Sequence, residues 1–264
     1  MNKIKRETPL MKQQLSAGKP QIGIFSKAHS LELVEIIGLA GFDFIVIDME
    51  HTALTFQQVE QMVRAADLYG LHTIVRVPDA QASTILHALD LGATGIQVPQ
   101  INDARDVKAV IKSAMYPPRG IRGVTYAHRA AKYGFVSGKQ YMQEANERTT
   151  IAVHIETVSA YQQVDEICGA DGLDVVFIGP VDLSIALQVS PDYLEGGLSE
   201  AVKTILESCR KNGKQPGIVV NNEREYRFAL EQGIPYIVWG SDLAVFKQAL
   251  TSIKQLQEQI DREI

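Results

Sequence analysis

Short runs of apolar residues recur along the chain, and amphipathic stretches separate most of them. The runs are rich in Val, Ile and Phe, which is typical of strands buried on both faces of a parallel sheet. The stretches between them carry apolar residues at helical spacing, so strand and helix alternate. The predicted strands are Gln21–Phe25, Phe44–Asp48, Thr73–Val77, Gly95–Val98, Ile151–Glu156, Val175–Ile178, Gly217–Val220 and Tyr236–Trp239. The predicted helices are Leu31–Ala40, Phe56–Tyr69, Ala82–Leu91, Ala104–Ser113, Ala160–Cys168, Leu198–Asn212, Glu223–Glu231 and Leu243–Ile260.

Eight strand–helix units predict an α/β fold, a single (β/α)8 TIM barrel, because closing the sheet removes both of its edges. The length of 264 residues suits one such domain over residues 1–264, since these barrels have about 250 residues. An open doubly wound sheet is the alternative, but no Gly-x-Gly-x-x-Gly pattern follows the first strand. Glycines end five of the helical patterns, as left-handed caps do: Gly41, Gly70, Gly92, Gly213 and Gly233.

Two segments depart from the repeat. Residues 1–20 are expected to form a helical extension that covers the barrel floor. A long insert, Tyr116 to Thr150, precedes the fifth strand, with helical patterns at His128–Tyr133 and Gln140–Glu147. Its aromatic and basic content favours an ordered wall of the active site, because long loops in compact domains are usually functional or disordered. The last helix covers residues 242–261.

Composition and charge exclude several classes of protein. Hydrophobic residues make up 45% of the chain, enough for a sizeable core. A net charge of -5 argues against nucleic-acid and anionic-membrane partners. The basic N-terminus lacks the apolar run of a signal peptide, and no apolar stretch is long enough to span a bilayer. Cys168 and Cys209 have no metal or redox spacing, so we expect reduced thiols and a cytoplasmic location.

Two carboxylates stand where strands five and six end. Glu156 ends the fifth predicted strand, and Asp182 follows the sixth. All strand C-termini of a parallel barrel open on one face, which carries the chemistry. Two carboxylates that converge there can bind a hard divalent cation. Asp182 could alternatively cap the N-terminus of a helix.

Polar residues at the ends of strands two and three predict a base and an anion-binding group. The second predicted strand ends in the segment Asp48–His51, which also contains Glu50. A His flanked by carboxylates suits a general base. A His that caps the next helix is the alternative. Arg76 lies inside an apolar strand, so it is expected to be paired or to face a polar site. A guanidinium suits a carboxylate or enolate oxygen, and a structural ion pair with Asp48 or Glu50 is compatible with that role.

Further candidates are less sharply defined. His154 shares a strand face with Glu156, because the two are separated by one residue, so it is a core residue or a polar contact beneath the metal. The segment Gly179, Pro180, Val181 and Asp182 is a candidate substrate contact, since backbone N–H groups at a helix start attract anions. Asp90 closes the third helix and could be a solvated cap.

Two other barrel chemistries lack their residues. A Schiff-base aldolase needs a Lys in an apolar strand, and none of the predicted strands contains one. Lys27 lies past the first strand among polar residues. The loops after the last two strands are acidic rather than Gly-rich, so a phosphorylated substrate is not expected.

Together these motifs resemble the HpcH/HpaI aldolase family. The matching segments are Ile47–His51, Val75–Arg76, Val98–Pro99, Tyr116–Val124, Ile155–Glu156 and Phe177–Ser184. The resemblance extends from about Gly18 to the last helix. It implies a divalent Mg, Mn or Co ion bound by Glu156 and Asp182, His51 as base supported by Asp48, and Arg76 on the pyruvate oxygens. It also implies Asp90 acting from a neighbouring subunit, in a hexamer built as a dimer of trimers whose last helix packs on another subunit.

One position departs from the family pattern, because His154 stands where a Gln that contacts the substrate is usual. The function implied by the resemblance is reversible cleavage of a 4-hydroxy-2-oxo acid to pyruvate and an aldehyde through a metal-stabilised enolate. A CoA-thioester lyase of the citrate lyase beta or malyl-CoA type would need a basic groove, for which the insert offers Arg119, Arg122, Arg129 and Lys132. A non-catalytic metabolite-binding barrel is the third reading, and the intact set of site residues argues against it.

Overall fold

Eight parallel strands close into a barrel in the computed structural model, which describes residues 9–263. Each strand pairs with the next in the chain, and β1 pairs with β8, so the (β/α)8 fold is confirmed. The strands are β1 (Gln21–Ser26), β2 (Phe44–Asp48), β3 (His72–Arg76), β4 (Gly95–Val98), β5 (Thr150–Ile155), β6 (Val175–Ile178), β7 (Gln215–Val220) and β8 (Tyr236–Ser241).

The helices follow the predicted alternation. They are α1 (Met11–Ser16), α2 (Leu31–Leu39), α3 (Phe56–Leu68), α4 (Ala82–Asp90), α5 (Ala104–Ala114), α6 (Gly138–Arg148), α7 (Val158–Gln162), α8 (Val164–Cys168), α9 (Pro180–Leu187), α10 (Gly196–Asn212), α11 (Glu223–Glu231) and α12 (Asp242–Glu263). The five glycines predicted to end helices all have positive φ angles, between 64° and 98°. A residue without a Cβ adopts this conformation at low cost, which explains their position.

The core has two layers. An outer layer of Val, Ile and Leu lies between the strands and the helices. A smaller inner layer fills the barrel and includes Phe44, Phe177 and Tyr236. Met11 and Leu15 of α1 join this inner layer, so the predicted N-terminal helix does pack on the barrel floor. Residues 1–8 of the predicted extension lie outside the described residues.

The insert before β5 lies at the other end of the barrel from the expected site. A 3₁₀ helix, Arg129–Gly134, and α6 form its ordered part. Arg129 pairs with Asp67 and donates to the carbonyl of Leu91, at the C-terminal ends of α3 and α4. These helix ends lead into the start of the following strands, whereas catalytic residues lie at strand ends. Within one subunit, the expectation of an active-site wall is therefore wrong.

Helix α12 carries apolar side chains that are exposed to solvent in the subunit. Asp242 is the only residue of this helix, Asp242–Glu263, that is buried in the subunit. No helix within residues 9–263 combines the length and the apolar character that a membrane span requires.

Candidate active site

Strand register brings Asp48 and Arg76 side by side. The two residues are paired across β2 and β3. Arg76 donates from Nε to Asp48 Oδ1 at 2.9 Å and from a terminal nitrogen to Oδ2 at 2.6 Å, a two-pronged pair. Lys27, just past β1, places Nζ 3.1 Å from the same Oδ2. Burial raises the pKa of Asp48, but the hydrogen bond and charge of Arg76, together with Lys27, outweigh it, so the net pKa is lowered and the side chain stays ionised.

The turn after β2 carries Glu50 and His51. Asp48 Oδ1 accepts the backbone N–H groups of both residues, which fixes the turn. The carboxylate nearest the His51 ring is Glu50, with Oε2 3.6 Å from Nε2. Asp48 therefore supports His51 by accepting the backbone N–H of His51, rather than by contacting the His51 ring. The His51 side chain is 55% exposed, and the residue lies just past the C-terminal end of β2, at the barrel mouth.

Glu50 joins the two halves of the site electrostatically. Its Oε2 lies 3.1 Å from a terminal nitrogen of Arg76. Burial, with a smaller contribution from the charge of Glu156, raises the pKa of Glu50 above its usual value, although the charge of Arg76 acts in the opposite direction. Glu50, Arg76 and His51 therefore form one cluster of charged and polar groups at the ends of β2 and β3.

Glu156 follows β5 and is almost fully buried, at 4% exposure. Its Oε1 accepts the backbone N–H of Gln100 at 2.7 Å and the Gln100 side-chain amide at 3.1 Å. Its Oε2 lies 2.7 Å from His154 Nδ1. Burial raises the pKa of Glu156, but the hydrogen bond from His154, with Gln100 and Arg76, outweighs it, and the pKa is lowered overall. The side chain is therefore held in its anionic form.

Asp182 lies on the same face, in the first turn of α9. Gly179 is the N-cap of that helix and no side chain caps it, so the alternative of Asp182 as the N-cap residue is wrong. Within residues 9–263 its carboxylate makes no hydrogen bond or ion pair, and the residue is exposed. Pro180 and Val181 complete the segment, with Val181 60% exposed.

The donors present fit a hard divalent cation. A Cβ on Gly179 would stand only 2.8 Å from Glu156 Oε2, so the glycine leaves space beside this oxygen. Three or more His, Cys, Asp or Glu side chains do not cluster as a metal cage anywhere in the described part of the chain. Mg²⁺ is typically bound by one or two carboxylates and completed by water and substrate oxygens. Glu156 and Asp182 supply that number of carboxylates.

His154 and Asp90 have different surroundings. The His154 ring is buried between Glu156 and Gln97, with Nε2 2.6 Å from the Gln97 amide. Asp90 ends α4 and binds Arg122, with His128 Nε2 at 3.6 Å. Because helix C-termini lie opposite the strand C-termini, Asp90 is not brought together with the other predicted residues in one subunit.

Sequence reasoning missed three residues that position the site. Lys27 was set aside because it follows β1 in polar company, yet it pairs with Asp48. Gln97 contacts His154, the neighbour of Glu156, and Gln100 donates directly to Glu156. Gln100 has a positive φ of 56°. A polar residue inside a fully buried strand, as Gln97 is, was an available signal.

Comparisons with known proteins agree with the fold and show the family. The model of the HpcH/HpaI aldolase/citrate lyase family matches residues 21–249. The 5-keto-4-deoxy-D-glucarate aldolase of Shigella boydii is 33% identical over 238 residues, which cover 90% of this chain and 92% of that protein. The enzyme of the same name from Enterobacter is 34% identical over the same coverage.

Solved structures give the same result. An HpcH/HpaI aldolase from Desulfitobacterium hafniense superposes with a TM-score of 0.89 at 28% identity, covering 94% of this chain and 97% of that one. Citrate synthase SbnG superposes with a TM-score of 0.86 at 27% identity, covering 96% and 98%. The aldolase relatives identify a carbon–carbon lyase. The chain belongs to the HpcH/HpaI aldolase/citrate lyase family.

Proposed function

We propose that this chain is a divalent-metal-dependent aldolase that reversibly cleaves a 4-hydroxy-2-oxo acid to pyruvate and an aldehyde. The observation that carries the proposal is the contact of Glu50 Oε2 with both Arg76, at 3.1 Å, and His51, at 3.6 Å, on the barrel face where Glu156 follows β5. A base, a fixed guanidinium and an anionic metal ligand are the three groups that enolate chemistry needs.

Arg76 is pre-positioned to bind the anionic 2-oxo acid. Asp48 takes two of its five N–H groups, and Glu50 lies against one more nitrogen. The contact with Glu50 is an ion pair without a hydrogen bond, so within residues 9–263 three N–H groups of Arg76 remain for substrate oxygens. The ring of Phe25 lies under the guanidinium at 4.6 Å and restricts its movement. Since its partners fix the guanidinium before substrate arrives, little reorganisation is needed when charge develops on the oxygen.

Glu156 and Asp182 would hold the divalent cation. When bound, the cation supplies a Lewis acid that polarises the 2-oxo acid oxygens. Gly179 keeps the space beside Glu156 open, and the lowered pKa of Glu156 keeps that ligand charged at neutral pH.

His51 acts as the general base in this proposal. Its exposed ring stands at the mouth, with Glu50 oriented toward Nε2. In cleavage, Nε2 accepts the proton of the 4-hydroxyl group, the C3–C4 bond breaks and the aldehyde departs. The electron pair of the broken bond forms the C2–C3 double bond of the enolate, while the carbonyl pair moves to the 2-oxo oxygen, where Arg76 binds. A proton delivered to C3 then completes pyruvate. Condensation follows the same steps in reverse.

Pyruvate proton exchange tests the proposal without knowledge of the aldehyde. The purified chain with Mg²⁺ or Mn²⁺ should exchange the pyruvate methyl protons in D₂O, followed by NMR, and EDTA should stop the exchange reversibly. Glu156→Gln should abolish the metal-stimulated exchange, and His51→Asn should lower the cleavage rate by about 100- to 10,000-fold. Glu207→Gln, an exposed residue of α10, is the matched control and should behave as the parent. Exchange that survives in Glu156→Gln at the parental rate would contradict the assignment.

The CoA-thioester alternative is less well supported. Arg122 and Arg129 of the insert are paired with Asp90 and Asp67, at the barrel end opposite the site. They do not form a basic groove beside Glu156 within one subunit. Cleavage of a malyl-type thioester, with no activity on free 4-hydroxy-2-oxo acids, would favour this alternative instead.

We also propose that α12 mediates self-association, as a hexamer in keeping with the family resemblance. Five of its exposed apolar residues recur at steps of three, four, three and seven, which is the spacing of a helix-packing seam with one polar position, Gln257: Leu243, Phe246, Leu250, Ile253 and Ile260. Phe246→Glu is expected to lower the mass measured by light scattering after gel filtration, while Gln248→Glu, outside the seam, should not. An unchanged mass for Phe246→Glu would exclude this face.

A further inference from the structure

A chain of polar side chains crosses the otherwise apolar interior of the barrel and ends at Glu156. Tyr236 on β8 donates its hydroxyl to Gln97 Oε1 at 2.8 Å. Gln97 Nε2 lies 2.6 Å from His154 Nε2, and His154 Nδ1 lies 2.7 Å from Glu156 Oε2. Tyr236 and Gln97 are fully buried, and His154 is 2% exposed. The four residues come from three strands and a loop end, so the barrel closure itself assembles them.

The contacts determine the direction of each hydrogen bond. Tyr236 lies against Phe44 and Phe177, and burial raises its pKa well above the usual value, so it keeps its proton. It therefore donates to the Gln97 carbonyl, which turns the Gln97 amide group toward His154. His154 Nε2 accepts from this amide, and its proton resides on Nδ1, facing Glu156. The Tyr236 hydroxyl thus selects the tautomer in which Nδ1, the nitrogen that faces the carboxylate, carries the proton.

Counting acceptor sites shows what is left for a ligand. Each carboxylate oxygen has two lone-pair sites. Gln100 occupies both sites on Glu156 Oε1, through its backbone N–H and its side-chain amide. His154 occupies one site on Oε2, and Gly179 leaves space beside that oxygen. The donors thus leave a single acceptor site, on Oε2.

We infer that Tyr236, Gln97 and His154 form a positioning relay that orients Glu156 Oε2 for a divalent cation. This inference rests on the proposed function, because it concerns the same metal ligand. An ordinary core role for His154 would be served by packing alone, since its ring lies 4.8 Å from the ring of Phe177. Packing does not require an unbroken hydrogen-bonded path to the carboxylate. Ligand orientation by such outer partners typically contributes about 10- to 100-fold in metal affinity.

Mn²⁺ affinity tests the relay apart from catalysis. Binding of Mn²⁺ alone to the purified full chain is measured from the EPR signal of the free ion. His154→Leu should weaken binding by about 10- to 100-fold, the usual cost of an outer ligand partner. Tyr236→Phe should weaken binding in the same direction, although this residue never touches Glu156. His154→Gln should retain most of the affinity, since an amide can both accept from Gln97 and donate to Glu156.

A matched control separates orientation from general loosening. Tyr193→Phe removes another buried hydroxyl, which donates to the carbonyl of Val219, and should leave Mn²⁺ affinity unchanged. Melting temperature is measured for every variant. Parental Mn²⁺ affinity in Tyr236→Phe and His154→Leu would overturn the relay. So would a Tyr193→Phe loss as large as theirs, or no Mn²⁺ binding by the parent. A parent that binds Mn²⁺ through the relay but exchanges no pyruvate protons would refute the proposed function and leave the relay standing.

Discussion

Replacing Asp48 by Asn should destabilise the fold more than any surface change of charge. Asp48 is fully buried, and it accepts two hydrogen bonds from Arg76, one contact from Lys27 and two backbone N–H groups. Asn keeps the shape but removes the charge, which leaves two cations without their main partner. Breaking a buried pair from one side costs about 3–5 kcal/mol. We expect the lower end of that range, because Glu50 stays 3.1 Å from Arg76.

The ion pair of Lys27 with Asp48 provides a partly exposed interaction for comparison with the buried Arg76 pair. Its side chain is 26% exposed, so Lys27→Met should cost about 1 kcal/mol or less, as partly exposed pairs do. The double variant should cost less than the sum of the two, because removing Lys27 relieves one of the stranded cations. Urea unfolding at one fixed protein concentration measures all three, with Asp171→Asn on the surface as control.

The pH dependence of the difference follows from the lowered pKa of Asp48. A carboxyl group with a lowered folded pKa contributes stability above its unfolded pKa, about 4, and loses it as the pH falls through the folded value. The gap between the parent and Asp48→Asn should therefore be full at neutral pH and shrink below about pH 4. An Asn variant within about 0.5 kcal/mol of the parent at pH 7, the range of ordinary surface changes, would refute the reasoning.

Two smaller substitutions probe the neighbouring elements. Gly179→Ala keeps a backbone angle that Ala can adopt, at φ -91°, but sets a Cβ 2.8 Å from Glu156 Oε2. It should lower metal-dependent activity without a loss of fold by circular dichroism, and equal activity in this variant would show that the space is not used. Gly123→Ala, which meets nothing within 4 Å, is its control. Thr55→Ala removes the capping box with Gln58 at the start of α3 and should cost about 1 kcal/mol in urea unfolding, and no measurable change would mean that the cap is dispensable.

The strands could be predicted closely because each is buried on both sides. Phe44–Asp48, Gly95–Val98 and Val175–Ile178 have the predicted bounds, and the others differ only at their ends. Differences arise where a strand ends in polar residues, as β1 does at Ser26 and β8 at Ser241. Apolar composition marks the buried centre of a strand, whereas hydrogen bonding to a neighbour decides where it ends.

Helices were less exact where the backbone breaks without Gly or Pro. The segment predicted as one helix, Ala160–Cys168, consists of α7 and α8, which meet at Gln163 with φ -108° and ψ 18°. α9 begins directly after Gly179 and was not among the predicted separators of strands. The location of the insert was predicted wrongly for another reason, because composition does not show which end of a barrel a loop covers. Arg129 is fixed by Asp67, a residue far from it in sequence.

The same rule that singled out Arg76 also applies to Gln97. Both are polar residues inside strands that are otherwise apolar and fully buried, and a buried polar group must find partners. Arg76 drew notice because a buried charge is the costlier case. Gln97 has four hydrogen-bonding positions on its amide, and the structure uses its oxygen for Tyr236 and its nitrogen for His154. A neutral amide in a barrel strand is therefore as good a pointer to the site as a charge, because it can only be there if something polar lies on both sides of it.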